Sequence, residues 1–374
     1  MIMHDPSRAV DERKQRSVQL SGLGIKLTTD LLLLASRARR RLGWQDAIVS
    51  SSVSHEVLYP ESERHFRPAY FLQDELQKAK GTLHDVDLSK ELRSVVSGRR
   101  WTGATTHTHL RKIYLRGDRL LSSRGSKLVG NPRWKPRHDQ IATTYTCAAL
   151  RSSFIGSHFF GDWLRDDVAT HLLAEIYGTP VSVAHASWVD TEFYLSAFRQ
   201  SYDQLQWAYF DELHIFDDIH QNEHKAARLH VLRDRVRQLI GTRAGAGKIF
   251  YLMRGQSGEQ RTVLNEPDVI NALSKIGVEM ISTERDPALT NLTSMIDCSM
   301  VIGLGGSHLS HAIYALGVGG AVLAIHRPSY FYNPHYDWSS ALGMKYGLMF
   351  ADEVSGGYHI NIDRLMKTME LILG

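Results

Sequence analysis

Four short apolar runs constrain the fold of this 374-residue chain more than any other feature: Ile249 to Met253, Val278 to Ile281, Met300 to Ile302 and Ala321 to Ile325. Each suits a buried strand, and helix-patterned segments separate them, which is the pattern of βαβ units and a parallel sheet. The expected fold class is α/β, with an open layer of strands over residues 247–350.

Open sheets of this kind bind ligands outside the carboxyl ends of their strands. The loops leaving those ends read Arg254-Gly255-Gln256-Ser257, Ser282-Thr283-Glu284, Gly303-Leu304-Gly305-Gly306-Ser307 and His326-Arg327. Glycines let backbone N–H groups approach an anion, a helix starting near Ser307 would turn its positive end toward it, and Arg254 or Arg327 can fork onto phosphate. A diphosphate suits this set. The plainer reading of Gly305-Gly306 is a strand-to-helix turn that needs positive φ, with Arg254 a surface residue. Glycine, hydroxyl and arginine accumulating on three loops favour the anion site.

The same residues carry a family resemblance. Arg254, Arg261 and Asn265-Glu266, then Cys298-Ser299-Met300-Val301-Ile302-Gly303-x-Gly305-Gly306-x-x-Leu309 and a further apolar strand, resemble the C-terminal half of family 61 glycosyltransferases. That family includes bacterial capsular enzymes and the eukaryotic O-GlcNAc and xylose transferases. Its usual spelling, Gly-x-His-Gly-Ala-Gly-Leu, has a histidine where this chain has Gly305, and His308 appears three residues later. A second piece, His158-Phe159-Phe160-Gly161-Asp162-Trp163, is similar to a His-x-Phe-x-Asp-aromatic motif of eukaryotic members. Asp166 falls where bacterial members keep their acid.

The resemblance implies a GT-B-like arrangement of two Rossmann-like domains facing a cleft, with a C-terminal helix that can cross back to the first. It also implies inverting transfer from a nucleotide-sugar donor, a co-substrate with no further cofactor, to a glycan or other hydroxyl acceptor in polysaccharide biosynthesis. Asp162 is then the candidate base, Asp166 its substitute, and His158 their neighbour. Capping and dipole compensation would also explain an acidic first turn there. Donor contacts fall to Arg254, Arg261, Gly305, Gly306, Ser307, His308, His326 and Arg327, and Glu266 binds the donor or pairs with Arg261. No Asp-x-Asp sits at a strand end, since Asp85-Val86-Asp87 lies in the wrong half, so metal-independent chemistry is favoured.

The rest of the chain supplies an acceptor-side domain over 1–241, of which 1–20 reads as a poorly packed lead-in. The glycine-rich Gly241 to Gly247 marks the boundary, and 351–374 forms a C-terminal segment and helix. Arg116-Gly117-Asp118-Arg119 reads as a hairpin turn. Residues 190–240 read as mostly helical, which would spread Asp211, Glu212, His214, Asp217, Asp218, His220 and His224 around a solvated face. His107 and His109 share one strand face but lack a third ligand nearby, so no metal site is expected. Residues 329–338 are aromatic and either line a sugar or acceptor pocket or cover the sheet edge.

Charge is uneven: residues 1–150 carry 26 Lys/Arg against 15 Asp/Glu, and residues 151–374 carry 18 against 25. The basic half suits an acidic acceptor or a membrane surface, or is a solvated face. Nucleic acid is not an expected partner. Cys147 and Cys298 are too few and too far apart for a disulfide framework or a thiolate zinc site. No run approaches the about 20 apolar residues that span a bilayer. The N-terminus lacks a signal peptide's charged start and apolar core, so a cytoplasmic location is expected. Leu31 to Leu34 followed by Arg37, Arg39, Arg40 and Arg41 reads as a helix with a basic end, and peripheral contact with the inner membrane would run through it. Two other classes remain open: a pyruvyl-type transferase acting on polysaccharide, which would share the anion loop, and a non-catalytic polyanion-binding protein, which would use the basic first half. The oligomeric state is not set by the sequence.

Overall fold

The computed structural model describes residues 22–44, 47–83, 86–133, 135–137, 139, 141–253, 255 and 262–374. Its described strands form two principal sheets. In the second, the spatial order is Glu279–Ser282, Ile249–Met253, Cys298–Leu304, Leu316–His326 and Lys345–Phe350, and every neighbour is parallel. The four apolar runs are four of these strands. They read clearly because both faces of a parallel sheet are covered, and Val301, Ile302, Val322 and Leu323 are fully buried. The strand order reverses between Ile249–Met253 and Cys298–Leu304, so a switch-point crevice opens beyond their carboxyl ends.

The first sheet has eight strands and is mixed. Its hub is Trp207–Asp217, antiparallel to Thr105–Arg116 on one side and parallel to Thr143–Leu150 on the other. This corrects the helical reading of residues 190–240: helices occupy Thr191–Phe198 and Glu223–Ile240, but the residues between them include two strands. Trp207, Phe210, Leu213 and Ile215 are all buried. Buried residues on both of its faces blur the clean alternation that reveals a half-buried strand. The hairpin at Gly117 does form, joining Thr105–Arg116 to Arg119–Leu121, with Gly117 at φ 58°.

A second correction concerns the helix expected from Ser307. The chain makes a 3-10 stretch, Ser307–His311, then a single α-helical turn, Ala312–Ala315, before the strand Leu316–His326 begins. Among the described residues, no long helix follows the Gly305 turn.

The first sheet keeps a core of its own around Leu110, Ile113, Phe210 and Leu213, and helices of the first half pack onto the second sheet. Val95, Trp163, Tyr194, Phe198 and Leu229 from the first part of the chain pack in one cluster with Phe250, Leu252, Val301 and Tyr314 from the second. An early segment also crosses over: Tyr70 N–H donates to the Tyr346 carbonyl (2.8 Å), and Leu348 N–H donates back to the Tyr70 carbonyl (2.9 Å). The last helix, Ile362–Leu373, covers Gly347 with Ile372 and sends Arg364 to Asp74 (2.7 Å) and Glu75.

Candidate active site

Asp162 and Asp166 lie on one continuous helical stretch that changes pitch as it passes them. Phe160–Asp162 is α-helical, Trp163–Asp167 is a π-helical turn, and Val168–Tyr177 is α-helical again. The buried side chains Trp163, Leu164 and Val168 fix its core face. Such π turns are uncommon and concentrate at functional sites. Here the turn brings Arg165 between the two acids: its Nη2 donates to Asp162 Oδ1 (2.5 Å) and to Asp166 Oδ2 (2.6 Å).

The acids differ in everything else. Asp166 also accepts from Lys225 Nζ (2.8 Å) and Gln221 Nε2 (2.7 Å), and its side chain is 3% exposed. Burial would raise its pKa, but the charges of Arg165 and Lys225 outweigh that and hold it below the usual carboxylate range. Among the described residues the Asp162 carboxylate bonds only to Arg165, and its side chain stays 21% exposed. Burial dominates there and raises its pKa despite Arg165, with the neighbouring Asp166 charge adding to the rise. A buried, fully paired carboxylate holds structure; a partly open one with a raised pKa can take up a proton.

The opposite wall comes from the second sheet. Neither Gly305 nor Gly306 sits in the left-handed region, Gly306 being extended at φ 166°. This overturns the positive-φ reading of the pair. A Cβ on Gly305 would meet nothing closer than 3.6 Å, so its missing side chain leaves room at the strand end. Beside it, His326 is buried with Nε2 against the Tyr346 hydroxyl (2.8 Å), and the Arg327 guanidinium lies 4.3 Å from the Tyr330 ring centre. Gly161 joins the walls: a Cβ there would fall 2.9 Å from Ser307 Cα and 2.8 Å from Ser310 Oγ. Only glycine lets the residue before Asp162 approach this turn so closely.

Between the walls lies a cleft of about 1380 Å³. Asp162, Asp166, Gly305, Gly306, Ser307, His326 and Arg327 all line it, contributed by stretches more than a hundred residues apart. Three other sequence candidates do not. His158 is half-buried with Nδ1 against the Phe154 carbonyl (2.7 Å), Glu266 accepts from the Tyr251 hydroxyl (3.2 Å), and buried His308 packs beside Gly303. Arg254 and Arg261 lie outside the described residues, as does Asp85; Asp87 caps the helix Leu88–Ser97. The aromatic stretch 329–338 divides between the cleft and the core. Tyr330 and Tyr332 line the cleft, while Phe331, Tyr336 and Trp338 are fully buried.

The glycosyltransferase 61 family model matches residues 118–317, just over half of the chain, and spans both acids and the Gly305 turn. The chain belongs to this family. No curated protein matches this glycosyltransferase 61 member. Among solved structures, two mutant forms of a flavo di-iron protein from Thermotoga maritima align at 10% and 9% identity, with TM-scores of 0.24 and 0.25. The alignments cover 72% and 73% of this chain, and the chain spans 64% and 65% of the length of those structures. Likeness at that level carries no conclusion about this family member.

Sequence reading missed Arg165, Lys225, Gln221 and Arg100. Arg165 had a local signal, since a residue three positions after Asp162 on a helix meets it. Lys225 and Gln221 had none, because only the fold brings them to Asp166. Arg100 lines the cleft and pairs with Asp337 (2.7 Å) and Glu91 (3.3 Å), tying an early strand to the helix Pro334–Ala341.

Proposed function

We propose that this protein is an inverting, GT-B-like glycosyltransferase that moves a sugar from a nucleotide-sugar donor to a glycan hydroxyl in polysaccharide biosynthesis. The observation that carries the reading is one cleft lined on one side by a carboxylate of raised pKa, Asp162, and on the other by the Gly305–Ser307 turn with Arg327. Asp162 takes the proton of the acceptor hydroxyl as its oxygen attacks the anomeric carbon. The bond to the nucleoside diphosphate breaks on the opposite face of the sugar. The charge that develops there meets Arg327 and the open backbone of the glycine turn, with Arg254 and Arg261 as further donor contacts. Arg165 positions Asp162 and is not itself a proton carrier, and Asp166, itself held by Lys225, anchors Arg165 directly. No metal takes part in this transfer.

In this reading residues 1–241 form the acceptor side, 247–350 the donor side, and 351–374 a segment that ties them through Arg364. The protein works in the cytoplasm against the inner membrane, held by the basic, leucine-bearing helix Gly22–Arg41. Calorimetry against UDP-, GDP- and CMP-sugars and phosphoenolpyruvate tests the donor. One nucleotide sugar is expected to bind, with at least about tenfold weaker binding in Arg327→Ala, the scale of one lost charge-assisted contact. Binding of phosphoenolpyruvate alone would move the assignment to pyruvyl transfer. Binding of acidic glycan without any nucleotide would remove catalysis from it.

A further inference from the structure

A cluster of three histidines and two glutamates forms on the first sheet, and none of its members lines the cleft. The strand reading of Trp207–Asp217 creates it. At the two-residue period of a strand, Glu212 and His214 point to one face. The antiparallel register sets His214 directly opposite His109 of Thr105–Arg116. That cross-strand step supplies the third ligand that His107 and His109 lacked in sequence. One ligand atom from each of His109, Glu212 and His214 lies within 4.8 Å of the other two. His109 Nε2 is buried and makes no hydrogen bond among the described residues, and Glu212 Oε2 is 3.5 Å from it. Two ligands of a tetrahedral ion with bonds of about 2.1 Å stand about 3.4 Å apart, so that pair is already at coordinating separation.

The surroundings orient the ligands. Arg111 donates to Glu212 Oε1 through Nε (3.2 Å) and Nη2 (3.0 Å), which leaves Oε2 for His109. His107 Nδ1 lies 2.7 Å from Glu56 Oε1, and its Nε2 lies 2.7 Å from His214 Nδ1. The carboxylate sets the direction of that relay. With the His107 proton on Nδ1, its Nε2 accepts from His214 Nδ1–H, and the lone pair of His214 is left on Nε2. Carboxylate–imidazole chains of this kind fix the tautomer and orientation of metal-binding histidines. Tyr177 closes the cluster, with its ring centre 4.1 Å from that of His107. The ten-residue helix Val168–Tyr177 that ends there starts beside Asp166, about 15 Å away at its usual rise.

We propose that His109, Glu212 and His214 bind a divalent transition-metal ion of borderline softness, oriented by His107 and Glu56, at a site separate from the transfer cleft. Two neutral imidazoles and one carboxylate are the donor set such ions prefer, with a fourth position for water. The ion clamps the hub strand to its antiparallel neighbour, and the site stands whether or not the transfer reading holds.

The test titrates the metal-stripped full chain with Zn²⁺ by calorimetry, with Co²⁺ absorption spectra reporting the ligand geometry. One Zn²⁺ per chain is expected. Binding should fall at least about 100-fold in the double variant His109→Ala/His214→Ala, and Glu56→Gln should weaken it about 10- to 100-fold, the usual effect of losing an orienting partner. Failure of the wild-type protein to bind one equivalent would overturn the site, independently of how the variants fold. So would unchanged binding in a double variant whose circular dichroism matches the wild type.

Discussion

At the scale of single residues, the candidate site turns on two aspartates four positions apart with opposite fates. Asp166 is buried against Lys225, itself fully buried, so removing the carboxylate strands a cation away from water. Asp166→Asn is expected to cost about 3–5 kcal/mol of unfolding free energy, read by denaturant titration. The pH dependence has a defined sign. The folded pKa of Asp166 is depressed, so its contribution is present above the usual carboxylate pKa and is lost as pH falls through the lower folded value. Asp162 runs the other way: its raised pKa favours the protonated form, so its contribution is present at low pH and is lost as pH rises through the folded value. The motif around His158 brought both acids into view from sequence. The motif put Asp162 ahead of Asp166, but the physical ground for that order was out of reach, because it depends on a lysine 59 residues further on.

At the scale of elements, legibility followed burial pattern. Strands of the parallel sheet were readable because they are continuous apolar runs with helices between them. Trp207–Asp217 was not, since its charged Asp211 and Glu212 interrupt an apolar run in a way that also fits a helix. Lys345–Phe350 was missed too: its Gly347 is a poor strand former, kept because Ile372 packs where a Cβ would be, 2.2 Å away. The helix Gly22–Arg41 was legible only over its second half, from Leu31, and its geometry sharpens the reading. Leu23, Leu27, Leu31 and Leu34 are all exposed, and spacings of four, four and three put them on one stripe above Arg39, Arg40 and Arg41 in the last turn. An apolar stripe beside a basic end suits an anionic bilayer surface. The full chain should co-sediment with vesicles containing phosphatidylglycerol at low salt, less so at high salt, and Leu27→Glu/Leu31→Glu should abolish it. No sedimentation of the wild type at low salt would remove the membrane from the account. No helix among the described residues is long and apolar enough to cross a membrane.

At the scale of the molecule, two sheets of different construction are joined by helices that pack onto the second, and the cleft lies between the loops of the two halves. The loops at the carboxyl ends of the parallel strands could be located from sequence, because strand ends and glycines are local features. The opposing wall could be located only through a motif, since the approach of Gly161 to Ser307 is a tertiary fact. Kinetics of Asp162→Asn, with donor affinity measured on the same preparation, test the central claim most directly. The account predicts donor binding within about threefold of wild type and turnover lower by about 10²–10⁴, the usual worth of a general base. It also predicts loss of the acid limb of kcat/KM, which in the wild type falls as pH drops through the raised Asp162 pKa. Turnover within about tenfold of wild type, in a variant that still binds donor, would contradict it.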